Sequence, residues 1–430
     1  MTTEGLYQLF TSYPNISTDS RNIKKGCLFF ALKGANFNGN QYAASSVEQG
    51  AAYAIVDEKE YVTDSRTIYV ENVLESLQQL ARFHRQQLNL PILAITGTNG
   101  KTTTKELTAA VLAKKFKIVF TQGNLNNHIG VPLTLLSMTA ETEIGIVEMG
   151  ANHPGEIAAL CEIALPNFGL ITNVGKAHLE GFGSFEGIKK TKAELYRFIE
   201  RTGGKIFINQ ANAHLKKMAG ETSNIPYTTD KNEPGFQGEL IESNPFMVCK
   251  MKFPKGWLYI KTKLIGGYNL ENALAAATVG NFFAIDPLKI KEALENYVPA
   301  NNRSQFIESN SNKLQLDAYN ANPSSIQVAL DTFQHINNMP KGVILGDMLE
   351  LGTTSAEEHQ KVVDCLASLK PDFVLLVGPE FAKCRMPDSF QSFRTTEEAK
   401  TYLENTKPSG YYLLIKGSRG MKLESLVEKL

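Results

Sequence analysis

The chain has 430 residues, 43% of them hydrophobic and 20% charged, which is length and apolar content for more than one buried core. Its 44 basic residues balance 44 acidic ones, so no excess charge draws it to nucleic acid or to an anionic membrane as a main partner. No apolar run approaches the ~20 residues of a membrane-crossing helix, and the start, Met1 to Gly5, has neither the basic nor the apolar stretch of a signal peptide.

The first part of the chain, residues 1–89, reads as a small α/β unit. Short apolar strands are expected around Cys27–Leu32 and Ala51–Val56. From Asn72 to Leu88, Leu74, Leu77, Leu80 and Ala81 recur on one face at helical spacing, and Pro91 then breaks the pattern. Residues 90–298 follow as a central unit. Ile92–Ile95 is an apolar run suited to a buried parallel strand, followed by a glycine-rich turn and a helix expected over Thr103–Lys115. Ile144–Val147 and Phe168–Ile171 are further strands alternating with helices, the pattern of a parallel sheet covered on both faces. Between about 205 and 265 the pattern turns β-rich, as in Phe246–Phe253 and Trp257–Leu264, and Asn269–Phe283 reads as an alanine-rich helix.

Residues 299–430 form the third unit, a smaller open sheet of the Rossmann kind, with strands expected at Val343–Leu345, Phe373–Val377 and Tyr412–Ile415. Ser355–Glu358 has the spacing of a capping box at a helix start. The five cysteines (Cys27, Cys161, Cys249, Cys365 and Cys384) are far apart, with no C-x-x-C pair. Neither a zinc site nor a disulfide framework is implied, and reduced thiols in a reducing compartment, the cytoplasm, are the expectation.

The most informative stretch is Gly97-Thr98-Asn99-Gly100-Lys101-Thr102, between an apolar strand and a helix. Phosphates need several backbone N–H donors converging on one point, and glycines let the chain turn tightly enough to offer them. The helix that follows, from Thr103 onward, adds unpaired N–H groups and a positive dipole end. Lys101 would reach the outer phosphates and the Thr102 hydroxyl would hold magnesium. Ile95 stands where the strict G-x-x-x-x-G-K-[ST] pattern has its first glycine, so the shorter G-x-x-G-K-T is what the chain carries. Glu148 closes a neighbouring strand and His178 follows a third, both at the edge where metal ligands of an open sheet gather. Lys192, by contrast, shares its helix with Lys189 and Lys190 and reads on its own as one charge of a solvated face.

Several longer motifs occur in order: the phosphate loop, Glu148–Gly150, Asn124–Thr134, Asp317–Ser325, Leu345–Gly352 and Lys416–Glu424. Together they resemble the Mur ligases, ATP-dependent amide-forming enzymes of peptidoglycan precursor synthesis, over essentially the whole chain in three-domain order. Among these, the resemblance is strongest to the member that adds D-alanyl-D-alanine to a UDP-N-acetylmuramoyl-tripeptide. It implies an α/β fold with a UDP-substrate domain (1–89), a central P-loop ATPase domain (90–298) and a C-terminal domain for the incoming dipeptide (299–430).

Position by position, the resemblance assigns Ser17, Asp19, Ser20, Arg21 and Lys33 to the UDP end of the substrate, with Asn126 and Asn127 also on the substrate side. Asn269 and Asn272 fall in the segment that packs on adenine, and Arg303 and Asp317 where the last domain reaches ATP phosphates and ribose. Asn320, Asn322 and Ser324 lie in the segment expected near the dipeptide. Lys192 matches a lysine carried as a carbamate, an anion able to bind magnesium. Two ions are implied, one on Thr102 and Glu148, the other on Glu148, His178 and the modified Lys192. Lys101, Glu148, His178 and Lys192 are then the catalytic set, in an enzyme expected to be a monomer.

Other readings stay open at this stage. A related ligase adding a single amino acid, a folylpolyglutamate synthase, a P-loop kinase or ATPase, and a nucleotide-binding protein without catalysis all share the phosphate loop.

Overall fold

The computed structural model describes residues 1–177, 179–300, 302–337 and 339–430. Its first sheet is built from strands too short to stand alone, so each is tied into a parallel ladder: β1 (Ile16–Ser17), β2 (Leu28–Phe30), β5 (Tyr53–Val56) and β6 (Thr67–Tyr69), in the order β1-β2-β5-β6. A small antiparallel pair, β3 (Lys33–Gly34) and β4 (Phe37–Asn38), stands beside it. Side chains alternate across a strand, and in β2 Leu28 and Phe30 enter one core while Phe29 enters a second on the other face. The expected strand Cys27–Leu32 is thus trimmed at both ends, although Cys27 and Ala31 remain buried.

The helix Val73–Leu88 starts where Asn72 Oδ1 accepts the Glu75 N–H at 3.0 Å and ends at Asn89, whose φ of 42° is left-handed. Leu77, Leu80 and Ala81 are fully buried, and the helix joins two parts of the chain. A single core runs from Leu6, Phe30 and Leu77 to Val131, Leu160, Leu195 and Ile208 of the central unit. Beside it, Arg85 donates from Nε to Ala164 O at 3.1 Å and from Nη2 to Leu165 O at 3.2 Å and Asn167 Oδ1 at 2.9 Å.

The central sheet comprises β7 (Ile92–Thr96), β8 (Ile118–Phe120), β9 (Ile144–Glu148), β10 (Phe168–Ile171), β11 (Lys205–Asn209), β12 (Asn224–Thr228), β13 (Phe236–Ser243), β14 (Phe246–Phe253) and β15 (Gly256–Ile265). Their order is β15-β14-β13-β12-β11-β10-β7-β9-β8. Pairing is parallel from β8 through β13 and antiparallel across β13, β14 and β15, the β-rich segment expected from the sequence. Helices Lys101–Leu112 and Asn269–Phe282 bury Leu107, Leu112, Leu274 and Ala277 in the core on one face. The first begins two residues earlier than the sequence suggested, directly at the phosphate loop, because Gly100 adopts φ 76° and lets the helix start at once.

The third sheet holds β16 (Gln305–Glu308), β17 (Lys313–Asp317), β18 (Lys341–Gly346), β19 (Phe373–Val377), β20 (Gln391–Phe393) and β21 (Tyr412–Lys416), ordered β16-β17-β21-β18-β19-β20. All pairs but β16–β17 are parallel, and apolar cores lie on both faces. The expected capping box at Ser355 does not form. Its helix, Ser355–Leu369, continues a 3₁₀ turn without a side-chain cap, and Ser355 Oγ instead donates to Glu380 Oε2 at 3.1 Å. Capping boxes occur at Asn322 with Ser325 and at Thr395 with Glu398.

Among the described residues no helix is long and apolar enough to cross a membrane, and the five cysteines are free thiols. The buried Arg85 clamp offers a direct stability test. Arg85→Ala takes the guanidinium from the Ala164 and Leu165 carbonyls at the junction of the first two sheets, while Asn167 Oδ1 keeps the Ile92 N–H, and is expected to cost about 2–4 kcal/mol in urea unfolding. A loss below about 0.5 kcal/mol would mean that water replaces the guanidinium there.

Candidate active site

In the central sheet the chain leaves β7 for β8 and β9 on one side, then crosses over to β10 on the other. Loops after β7, β9 and β10 therefore open side by side at the carboxyl edge of the sheet, where open parallel sheets bind ligands. Register fixes the neighbours: Ile95 pairs with Glu148 and Thr96 with Ile171.

The loop after β7 is held by close approach. Gly97 has φ 145°, and a Cβ there would fall 1.9 Å from Thr172 Oγ1; a Cβ on Gly100 would fall 2.5 Å from Asn272 Oδ1. Thr172 Oγ1 donates to Asn99 O at 2.7 Å, and Asn173 Oδ1 accepts the Asn99 N–H at 3.0 Å. Thr98 Oγ1 accepts the Gly175 N–H at 2.9 Å. Lys101 Nζ folds back onto its own loop, donating to Gly97 O at 2.8 Å and Thr98 O at 3.0 Å. Burial lowers its pKa to about 8; Glu148 opposes that shift and Arg303 adds to it.

Glu148 is 1% exposed. Its Oε1 accepts from Thr102 Oγ1 at 3.2 Å and Asn126 Nδ2 at 2.7 Å. Its Oε2 has no hydrogen-bond partner, and Lys105 Nζ lies 3.9 Å away. A buried carboxylate oxygen in that condition is a costly arrangement unless a cation joins it. Lys105 is a participant the sequence reading passed over. Fully buried, it donates to Thr121 O at 2.7 Å and lies 3.0 Å from Glu106 Oε1, so it holds positive charge behind Glu148. Its position one helical turn after Lys101 was the available signal.

Lys192 is 3% exposed, inside the helix Phe185–Arg201, with Nζ 5.6 Å from the centre of the Phe182 ring. Burial, and then the like charge of Lys101, pull its pKa down to about 7. The solvated-face reading of Lys192 is therefore wrong, because the helix turns this lysine inward. His178 lies outside the described residues.

The C-terminal sheet closes over this edge and leaves a cleft of about 1290 Å³. The phosphate loop through Thr103, together with Asn126, Asn127, Glu148 and Lys192, lines one side. Asn269 and Asn272 line it too, each tied down: Asn269 Nδ2 donates to Ile265 O, and Asn272 Oδ1 accepts from Thr104 Oγ1. Arg303, Asp317, Asn320, Asn322 and Ser324 come from the C-terminal sheet. Two of these grip the phosphate loop directly: Asn322 Nδ2 donates to Asn99 Oδ1 at 2.9 Å, and Asn99 Nδ2 donates to Ser324 Oγ at 3.0 Å. Ser324 Oγ donates onward to Asn322 Oδ1 at 2.8 Å, closing a ring of hydrogen bonds. Asn322 also caps the helix Pro323–Phe333.

Ser17, Asp19, Ser20, Arg21 and Lys33 are not part of this cleft. Asp19 and Arg21 pair with each other at the surface, with Asp19 held down to about 2 by that partner. Ser17 Oγ donates to the carbonyls of Asp19 and Asn22, and Lys33 pairs with Asp57 at 2.9 Å and Glu58 at 2.8 Å.

A glycine-rich anion cradle backed by a lysine, faced across a cleft by the cations of a second open sheet, defines an enzyme that uses a nucleoside triphosphate. Comparison with known proteins narrows the class. Residues 12–91 match the model of the Mur ligase family catalytic domain, 95–280 that of the Mur ligase middle domain, and 302–419 that of the Mur ligase glutamate ligase domain. The UDP-N-acetylmuramoyl-tripeptide–D-alanyl-D-alanine ligase of Haemophilus influenzae is 34% identical over 96% of this chain and 93% of its own. A crystal structure of MurF from Acinetobacter baumannii superposes with a TM-score of 0.85 at 30% identity, covering 98% of this chain and 97% of that one. MurF ligase from Thermotoga maritima in complex with ADP gives 0.84 at 26% identity, covering 96% of each chain. The chain belongs to the Mur ligase family, in the branch formed by the UDP-N-acetylmuramoyl-tripeptide–D-alanyl-D-alanine ligases, MurF.

The Asn99 ring supplies a test of how the C-terminal sheet is held. Asn99→Ala removes two hydrogen bonds between the sheets, about 1–3 kcal/mol of docking. Its radius of gyration in solution scattering is expected to exceed that of the unaltered protein, with the unfolding midpoint little changed. Identical scattering curves would show that the ring is not what holds the sheets together.

Proposed function

We propose that the chain joins D-alanyl-D-alanine to UDP-N-acetylmuramoyl-tripeptide, consuming ATP and releasing ADP and phosphate. The observation that carries the reading is the single cleft in which the phosphate loop, the buried Glu148 and the C-terminal cations meet, in a chain that aligns end to end with ligases of that name. Division of labour follows the three sheets: residues 1–89 for the UDP end, 90–298 for ATP and 299–430 for the dipeptide. Ser17, Asp19, Ser20, Arg21 and Lys33 then serve the UDP end away from the reacting atoms, while Asn269 and Asn272 serve the adenine side. One chain supplies every wall of the cleft, so a monomer suffices, and the free thiols suit the cytoplasm.

The chemistry begins with a carboxylate, ionised at neutral pH with a reference pKa of about 4 and a poor electrophile. An oxygen of the tripeptide carboxylate forms a bond to the γ-phosphorus of ATP as the bond to ADP breaks, giving an acyl phosphate. Two anions must meet for that, and Lys101, released from Gly97 and Thr98, supplies positive charge at the phosphates, with Arg303 facing it. The dipeptide amine, with a reference pKa of about 8, sheds its proton and attacks the acyl carbon, and phosphate leaves as the amide forms. Docking of Asn322 and Ser324 on Asn99 keeps water from the acyl phosphate.

The donor set fits magnesium. Glu148 Oε2 is buried without a hydrogen bond, and Thr102 Oγ1 stands at Oε1 of the same carboxylate. Among the described residues no three His, Cys, Asp or Glu side chains gather to hold a metal, so a second anionic ligand beside Glu148 would have to come from elsewhere. A carbamate on Lys192 would provide it, with His178 as a further ligand for a second ion. Magnesium, when bound, offsets the charge of the phosphate oxygens.

Incubation with ATP, magnesium, D-alanyl-D-alanine and UDP-muramyl-tripeptides carrying either diaminopimelate or lysine is expected to yield a UDP-muramyl-pentapeptide and equimolar ADP by mass spectrometry. Release of ADP without a new amide, or use of a free amino acid in place of the dipeptide, would overturn the reading. Carbamylation has its own readout. A neutral amine captures carbon dioxide and releases a proton, so incorporation of ¹³C-carbonate at Lys192 is expected to grow as pH rises through about 7. Lys192→Ala should carry no such carbon signal; an unchanged signal places the label on another lysine.

A further inference from the structure

The C-terminal wall of the cleft holds three cations, and they are not equivalent. Lys416 is 2% exposed and spoken for: Nζ lies 2.5 Å from Asp317 Oδ2, its register partner on the neighbouring strand, and donates to Asn320 O at 3.2 Å. Arg303 lies with its guanidinium carbon 3.7 Å from the centre of the Tyr319 ring, and its charge bears on Lys101, which puts it at the phosphate end. Arg419 lies 5.4 Å from the same ring. Among the described residues its guanidinium has no carboxylate or carbonyl partner, although Glu350 lines the same cleft.

Its backbone is nonetheless fixed. Ser418, 3% exposed, donates its N–H to Asp347 O at 3.3 Å, and its Oγ accepts the Leu349 N–H at 3.0 Å. The result is a rigid strand end that presents a planar, always charged fork to the cleft, steadied by an aromatic face. That fork matches a carboxylate through two parallel hydrogen bonds.

We propose that Arg419 binds the terminal carboxylate of the incoming dipeptide and so selects an acceptor with a free acid at that end. This rests on the dipeptide-joining reading above. A dipeptide of two alanines carries only two charges. Its amine must face the acyl carbon beside Lys101, so its carboxylate points away from the phosphate loop. Arg303 is the cation on the phosphate side, and Lys416 is neutralised by Asp317, which leaves Arg419 for the acid.

Steady-state kinetics of Arg419→Gln and Arg419→Lys test this, with D-alanyl-D-alanine and its C-terminal amide as alternative acceptors. In Arg419→Gln the KM for the dipeptide is expected to rise at least about tenfold, with the KM for ATP and for the UDP-substrate within about twofold of the unaltered enzyme. The preference for acid over amide should fall by the same factor, with Arg419→Lys between the two. A rise in the KM for ATP instead would assign the guanidinium to the phosphates, and an unchanged acid-to-amide ratio would also overturn the proposal. Failure of the unaltered enzyme to join any dipeptide would sink the parent reading with it. Arg419 is exposed, so both variants should keep the unfolding midpoint of the parent.

Discussion

What organises this molecule is an electrostatic debt at the carboxyl edge of the central sheet. Glu148 is buried there with one oxygen lacking a hydrogen bond, and burial disfavours the charged forms of Lys101 and Lys192 beside it. On the proposed reading a triphosphate and its counter-ion would ease this: Lys101 would gain an anion, and Glu148 with a carbamylated Lys192 would gain a cation. The sheet topology makes this possible, since only a crossover past β7 brings three strand ends together, and the backbone amides of the phosphate loop do the rest.

The third sheet repeats the device with different content. Its own reversal sets β17 and β21 side by side, so Asp317 and Lys416 meet in register and neutralise each other. The pair fixes the floor of that wall, beside the two arginines that lie against the Tyr319 ring.

How far the sequence revealed this depends on how local each signal is. The phosphate loop was legible because strand, glycines, Lys101, Thr102 and helix are contiguous. Glu148 was legible because a strand end is visible in hydropathy. Lys192 was not, since Lys189 and Lys190 beside it make the helix look wet from every side; only the family resemblance singled it out, and its burial comes from packing by distant segments. Lys105 was missed for the same reason: a lysine's composition assigns it to solvent, and its partner Thr121 is remote in sequence. The Ser355 cap failed because the chain enters this helix from a 3₁₀ turn, so Ser355 is already helical where a cap needs extended backbone. The meeting of Arg303, Tyr319 and Arg419 depends on strand order, which no pattern of periodicity records.

The shared apolar core between the first two sheets, pinned by Arg85, contrasts with the more polar joint to the third, where the Asn99–Asn322 and Tyr268–Ser304 hydrogen bonds sit beside an edge-to-face contact of Phe246 with Phe306. An oil-like joint resists separation in water, whereas an amide-to-amide joint exchanges with solvent at little cost. The first two sheets therefore share one core, while the third meets them through a more polar joint. A small molecule wedged between Asn99 and the cap of the helix Pro323–Phe333 would prop that joint open from inside the cleft, beside the phosphate loop itself.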